Sequence, residues 1–309
     1  MAALNVKRRV ALFMGDRRWR RLKALRDKFI TEPRLRHQRM VPAKVGKITV
    51  KAPRRHPVTR FAIDQPYRDL PVGFAAEAVG RKYPGASFVD IGANIGDTAA
   101  MMATYAPNPL ILVEASTIYQ DILMQNVAIL PNVRRVEFVF VSTDATPPSG
   151  RLRHWGGTAA FEPSDEPTIG ATKRLPEVTD DDTMFIKIDT DGFDFAILRS
   201  SIDWLAQARP LVLFESDVPT QDLHRQALET LDALVGAGYR WFVVWDDRGY
   251  HMTTTDDIGV LRELHTWLHT RRQTVSSPQG VSNFDILCAV ASDRDVVDAV
   301  TKAYLAMTS

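Results

Sequence analysis

From Ser87 onward, apolar runs and amphipathic stretches take turns along the chain. Short runs rich in β-branched, leucine and aromatic residues predict strands at Ser87–Ile91, Leu110–Glu114, Val136–Val141, Met184–Asp189, Leu211–Glu215, Arg240–Trp245 and Phe284–Val290. Helical spacing predicts helices at Gly73–Lys82, Gly96–Tyr105, Ser116–Ile129, Asp194–Ser200, Thr220–Ala237 and Thr255–Arg271. Strands that alternate with helices are joined by crossovers, so the expected fold is α/β: a seven-stranded, mostly parallel, Rossmann-like sheet with helices on both faces. An insertion separates its last two strands.

The pattern differs ahead of Thr59. Asn5 to Ile30 is helix-compatible, with Val6, Val10, Phe13, Leu22, Leu25 and Phe29 as an imperfect stripe broken at Gly15-Asp16. Pro33, Pro42, Pro53, Pro57, Pro66 and Pro71 then leave one β-like run, Lys47 to Val50, in an irregular connection. Residues 1–72 are therefore expected to be a helical arm and connector and 73–309 the main domain, with the boundary between Thr59 and Gly73.

Composition changes the picture mainly through charge. The whole chain carries 39 Lys/Arg and 37 Asp/Glu, but residues 1–60 hold 19 of the bases and only Asp16, Asp27 and Glu32, a net +16. The remaining 20 bases and 34 acids give residues 61–309 a net −14. Such an arm has three uses: resting on an anionic membrane surface, gathering anionic substrates, or pairing with the acidic body of its own chain or of a homodimer partner. No aromatic-stacking module accompanies the charge, so nucleic acid is not an expected partner. No apolar run approaches the roughly 20 residues that span a bilayer, and a cytoplasmic protein, with peripheral contact at the inner membrane face left open, is the expectation. The one cysteine, Cys288, lies in the last strand and reads as a buried thiol.

Candidate chemistry gathers where strands end. Asp90-Ile91-Gly92-Ala93-Asn94-Ile95-Gly96-Asp97 is a strand, a glycine turn and a helix start, an arrangement that presents backbone N–H groups to a polar ligand. Its glycine spacing is not the Gly-x-Gly-x-x-Gly of dinucleotide enzymes. An acid ahead of the turn suits the ammonium of S-adenosylmethionine (SAM) better than an anionic pyrophosphate. Glu114, 18 residues past Gly96, ends the second strand where a carboxylate accepts ribose hydroxyls, and Ser142 and Asp144 follow the third strand where an adenine amino group is met. Capping helices or pairing with surface lysines is the alternative role for Asp90 and Glu114.

The fourth strand runs Ile186-Lys187-Ile188-Asp189-Thr190-Asp191-Gly192, and alternation puts Lys187 and Asp189 on one face. Methyl transfer to a hydroxyl needs an aligned nucleophile and a base. Asp189 is the first candidate base, Asp191 the second and His154 the reserve, with Lys187 orienting the base; a purely structural Lys187–Asp189 ion pair is the competing reading. Glu215 and Trp155 are candidate substrate contacts. His265 and His269 have metal-ligand spacing on a helix but lack the glutamate of a zinc protease, so a solvated face is expected, with neighbouring Trp267 shaping the acceptor pocket.

With Phe88-Val89-Asp90-Ile91-Gly92-Ala93-Asn94-Ile95-Gly96, Val113-Glu114, Asn126, the Lys187–Gly192 run and Arg209-Pro210 in this order, the chain resembles the FkbM-type family of SAM-dependent methyltransferases from about Ser87 to Val218. The resemblance implies O-methylation of a hydroxyl on a sugar, glycolipid, polysaccharide or polyketide acceptor. The sequence departs from the family at Asp191, where glutamate is commoner, and at Gly156-Gly157-Thr158-Ala159, where a Gly-Gly-Ser-Ser-like loop is usual. Two other classes compete: a metal-dependent glycosyltransferase using Asp189-x-Asp191, and a scaffold that binds SAM without turnover.

Overall fold

Gly46, at φ 56°, turns the chain between β1 (Met40–Val45) and β2 (Ile48–Pro53), which pair antiparallel. The computed structural model that shows this describes residues 38–142, 150–155, 158–163, 170–190, 192–274 and 280–308. The arm helices expected between Asn5 and Ile30, with Asp144 and Asp191, fall outside the described residues, as do the side chains of His154 and Trp155.

After the hairpin come α1 (Val58–Asp64) and α2 (Leu70–Lys82), then β3 (Ser87–Ile91), α3 (Asp97–Tyr105), β4 (Leu110–Val113), α4 (Thr117–Val127) and β5 (Val133–Glu137). Pro71 enters α2 at its first turn, where a missing N–H costs nothing, and Arg81 and Lys82 complement the dipole at its end. A peripheral stretch carries β6 (Phe140–Val141), β7 (Gly150–Trp155), β8 (Thr158–Pro163), β9 (Thr172–Lys173) and α5 (Leu175–Val178). The chain then returns through β10 (Thr183–Ile188), α6 (Asp194–Ser200), α7 (Ile202–Ala208), β11 (Leu211–Ser216) and α8 (Gln221–Gly236). It ends with β12 (Tyr239–Asp246), β13 (His251–Thr255), α9 (Ile258–Thr274), β14 (Phe284–Val290) and α10 (Arg294–Thr308).

Eight of these strands form one sheet, in the order β13-β12-β14-β11-β10-β3-β4-β5. The five from β11 to β5 run parallel; β14 is antiparallel to β11 and β12, and β13 antiparallel to β12. Because the chain moves outward from β3 to β5 and then returns to β10 on the other side, the connections diverge above the C-terminal ends of β3 and β10, where open α/β sheets hold ligands. Strand alternation divides two cores. Phe88, Leu112, Phe185, Leu213 and Leu287 belong to one, with side chains of α2, α3, α10 and the hairpin. Val89, Ile111, Ile186, Val212 and Phe214 belong to the other, with side chains of α6, α8 and α9. Cover on both faces is why these strands read as unbroken apolar runs.

The structure corrects several expectations. The sheet has eight strands rather than seven, β13 forming from sequence expected to be insertion loop. Val136–Val141 is two elements: β5 stays in the main sheet, while β6 leaves it to pair with β9. The helix expected at Thr255–Arg271 is α9, starting three residues later because Thr255 ends β13. Residues 40–58, expected in an irregular connection with one β-like run, bury Ala43, Val45, Val50, Ala52 and Val58 in the same core as Met102 and Leu123. No helix among the described residues is long and apolar enough to cross a membrane.

Asn126, fully buried on α4, fastens the hairpin. Its Nδ2 donates to the carbonyls of Lys51 (2.9 Å) and Ile95 (2.7 Å), and its Oδ1 accepts from Lys51 N–H (2.8 Å). Asn126→Ala strands these groups and should lower the unfolding free energy in urea by about 3 kcal/mol; a loss below about 1 kcal/mol would show that the hairpin is held elsewhere.

Candidate functional site

The loop after β3 is held tightly against its neighbours. Gly92 and Ala93 both donate to the Val113 carbonyl, at 2.9 and 3.0 Å, and Asp189 N–H donates to Ile91 O at 3.0 Å. Gly92 has φ 83°, and a Cβ there would stand 1.9 Å from the Asp189 carbonyl oxygen, so only glycine lets the two rim loops meet. Gly96, at φ 86°, begins α3 and faces the side chains of Leu123 and Leu130, which a Cβ would meet at 3.1 and 3.3 Å. Its role is packing the loop onto α4.

Lys187 lies between two carboxylates. Its Nζ is 3.4 Å from Asp90 Oδ1 and 3.3 Å from Asp189 Oδ2. Lys187 and Asp90 are buried, whereas the Asp189 side chain is 38% exposed and faces the cleft. Burial alone would depress the lysine's pKa, but Asp189 and then Asp90 overcome it and hold the ammonium above its ordinary value. Burial raises the pKa of Asp90, with Lys187 acting against it. Asp90 Oδ2 also accepts from Thr98 Oγ1 at 2.5 Å.

Glu114 follows β4. Its Oε2 accepts from Asn94 N–H (2.7 Å) and its Oε1 from Ser116 N–H (2.6 Å), so the carboxylate joins the glycine loop to the start of α4. Burial pushes its pKa up to about 7 against these two hydrogen bonds. Asn94 adopts φ 51°, a conformation asparagine tolerates, and this aims its N–H at Glu114. Asp194 shows a similar balance: it accepts from Thr190 Oγ1 (2.9 Å), yet burial, and next the Asp189 charge, raise it to about 7.

An open pocket, about 550 Å³ with the solvent space at its mouth included, lies at this point of the sheet. Gly92, Asn94, Glu114, Asp189 and Thr190 supply its polar wall, and Ile91, Val113, Tyr119, Val139, Phe140, Val141 and Phe193 its apolar one. Phe140 and Phe193 meet edge to face at 4.9 Å between ring centres. Of the expected cofactor contacts, the structure brings Gly92, Asn94 and Glu114 to the wall and leaves Asp90, Ala93, Gly96, Asp97 and Ser142 buried off it. Asp90, expected to face a ligand, is instead committed to Thr98 and Lys187. Ser142 N–H donates to the Lys173 carbonyl at 2.9 Å.

Lys187 is not on the wall either; it acts on the pocket through Asp189. Glu215, on the same rim, takes a hydrogen bond from Asn283 Nδ2 at 2.7 Å. The solvated face expected for His265 is overturned: it is fully buried, with Nε2 2.6 Å from Ser216 Oγ and Nδ1 2.7 Å from Leu261 O. His269 stacks on His224 instead, and Trp267, expected to shape an acceptor pocket, is exposed beneath the Arg271 guanidinium. The wall residues that sequence reasoning missed are Thr190 and apolar side chains; the latter, Tyr119, Val139, Phe140, Val141 and Phe193 among them, belong to no motif.

The residues fit SAM. Glu114 offers a carboxylate for a ribose diol, and Val139, Phe140 and Phe193 give apolar cover for a flat base. Asp90, buried behind the loop, is paired with the Lys187 ammonium at 3.4 Å and accepts from Thr98 Oγ1, so it braces the loop that lines this wall.

Residues 90–241 match the family described as Methyltransferase FkbM domain. No curated protein matches the chain in sequence. Among solved structures it is similar to precorrin-6y C5,15-methyltransferase from Geobacter metallireducens GS-15, at 14% identity over 74% of this chain and 89% of that one, with a TM-score of 0.36. It is also similar to Methyltransferase FkbM from Methylobacillus flagellatus KT, at 17% identity over 43% of this chain and 33% of that one (TM-score 0.30). A third is M. jannaschii TYW2 in complex with AdoMet, at 10% identity over 82% and 85% (TM-score 0.38).

Two outcomes follow from the geometry. Lys187→Met leaves two carboxylates facing each other without a cation and should cost about 3–5 kcal/mol of stability in chemical denaturation; a near-neutral result would show that the ion pairs are dispensable. Ribose hydroxyls donate to a carboxylate and so favour its ionised form. Affinity for S-adenosylhomocysteine should thus be full above the Glu114 value of about 7 and weaken as the pH falls below it, by up to about tenfold per unit. Calorimetry should show that slope in the wild type and lose it in Glu114→Gln; a flat wild-type profile would remove Glu114 from the ribose site.

Proposed function

We propose that this chain, whose residues 90–241 form an FkbM methyltransferase domain, transfers the methyl group of SAM to a hydroxyl of a sugar, glycolipid, polysaccharide or polyketide-type acceptor. The observation that carries the reading is Asp189: a partly exposed carboxylate, 3.3 Å from a buried ammonium, on the wall of the pocket that also holds Glu114.

Bound there, SAM supplies an electrophilic methyl carbon on a sulfonium. Everything else falls to the chain. Glu114 holds the ribose diol, Phe140 and Phe193 cover the base, and Gly92 and Asn94 line the passage between them. Asp189 accepts the proton of the acceptor hydroxyl as the oxygen attacks, and Lys187 fixes the carboxylate's direction. Glu215, held by Asn283, touches the acceptor beside it. This reading is preferred to a glycosyltransferase because the Lys187 ammonium already occupies one side of the carboxylate that would have to bind a divalent cation. It is preferred to a scaffold because a scaffold has no use for a partly exposed carboxylate so placed.

SAM and S-adenosylhomocysteine should raise the melting temperature, and labelled methyl should pass from SAM to a hydroxyl in a panel of glycans and polyketides. Asp189→Asn should keep S-adenosylhomocysteine affinity and lose about 10²- to 10⁴-fold in turnover. Absence of any thermal shift would sink the cofactor; unchanged turnover would move the base away from Asp189.

A further inference from the structure

Arg68 precedes the FkbM domain in sequence, yet its guanidinium is held at the β12–β13 turn, next to the end of the sheet that carries the site. Glu215 of β11 stands directly opposite Asp285 of β14, and Asp285 opposite Trp245 of β12. Directly opposed residues share a face of the sheet. On the other flank Ile188 pairs with Phe214, which brings Asp189 level with Glu215. Three carboxyl groups therefore line up across β10, β11 and β14. Opposed like charges destabilise a sheet, so a row of this kind needs cations.

Lys187 serves the Asp189 end. At the other end, Arg68 Nη1 donates to the Asp247 carbonyl at 3.0 Å and to Gln65 Oε1 at 3.4 Å, and its guanidinium stands 5.0 Å from the centre of the Phe61 ring. The segment that carries it is fixed by backbone contact. A Cβ on Gly249, at φ 81°, would come within 2.0 Å of Tyr67 O, so the turn ahead of α2 seats directly on the β12–β13 turn. Burial works against the Arg68 charge, and Asp285, Asp69, Asp189 and Glu215 more than offset it. Burial raises Asp285 to about 7, with Arg68 pulling it down and Asp189 pushing it up; Asp69, on Arg68's own segment, is raised to about 7 by burial and then by Asp97.

We propose that Arg68 is a positioning residue for methyl transfer: clamped between the Phe61 ring and the Asp247 carbonyl, it supplies the second positive charge against the row of Asp189, Glu215 and Asp285 and so fixes those carboxylates toward the acceptor. The inference rests on the methyl-transfer reading only in assigning the acceptor to this rim. Arg68 touches neither the donor pocket nor the reacting atoms; it acts through the carboxylates. Residues outside the FkbM domain, Arg68 and Asp285, thereby complete a charge balance begun inside it by Lys187 and Asp189.

The test is a carboxyl-carbon NMR titration of the ligand-free full chain as wild type, Arg68→Lys and Arg68→Gln. Glutamine keeps an N–H for the Asp247 carbonyl and removes the charge; lysine keeps the charge and loses the planar fork. Expected is an upward shift of the Asp285 midpoint by about one unit in Arg68→Gln, and the wild-type midpoint in Arg68→Lys. An unmoved midpoint in a folded Arg68→Gln, or equal shifts in both variants, would overturn the proposal. Should Arg68→Gln fail to fold, the double variant with Asp285→Asn removes one of the unbalanced acids and is expected to fold again; persistent unfolding would also overturn it. A wild type that binds no SAM would sink the methyl-transfer reading while leaving this midpoint as it is.

Discussion

One buried ammonium ties the sheet to the site. Lys187 sits on the central strand β10 between Asp90, which opens the glycine loop of β3, and Asp189, which faces the cleft. A lone ammonium in such a place would cost several kcal/mol and tend to lose its proton. Two carboxylates prevent that, and each is thereby fixed in direction. The cost of burying the cation is what makes the geometry of the cleft depend on all three residues at once.

The other features of the site extend this arrangement outward. Gly92 lets the β3 loop lie against the Asp189 carbonyl, so the glycine loop and the Asp189 carboxylate on the pocket wall are adjacent through backbone as well as through Lys187. Glu114 then ties the same loop to α4 through Asn94 and Ser116. Asn126, on that helix, ties it in turn to the hairpin ahead of the parallel core. The pocket is thus framed by interlocked backbone contacts at the point where the sheet's connections diverge, and few of its polar groups depend on long mobile side chains.

Much of this was legible in the sequence. Apolar runs placed β3, β4, β10, β11, β12 and β14 nearly to their ends, because strands buried on both faces are continuous in hydrophobicity, whereas the half-exposed β5 was misplaced by three residues at its start. The glycine loop, Glu114 and the Lys187–Asp189 pair could be placed at strand ends from spacing alone. What escaped depends on tertiary packing. β13 and β1 are short and carry threonine, lysine and proline, and of the hairpin only the Lys47–Val50 run, which overlaps β2, reads as strand-like; that it packs onto the core is not visible locally. Asp90 looked like a ligand contact because spacing reveals position along a strand and says nothing of depth. His265 looked solvated because its partner, Ser216, lies 49 residues away on another element. Arg68 and Asp285 stand 217 positions apart, and only the seating of one turn on another brings their charges together.

The most direct measurement is a crystal structure of the chain with S-adenosylhomocysteine. The account predicts the ribose on Glu114, the base against Phe140 and Phe193, the sulfur turned toward Asp189, and Lys187 still bridging Asp90 and Asp189. A nucleoside bound outside this pocket, or a Lys187 that had left either carboxylate, would contradict it.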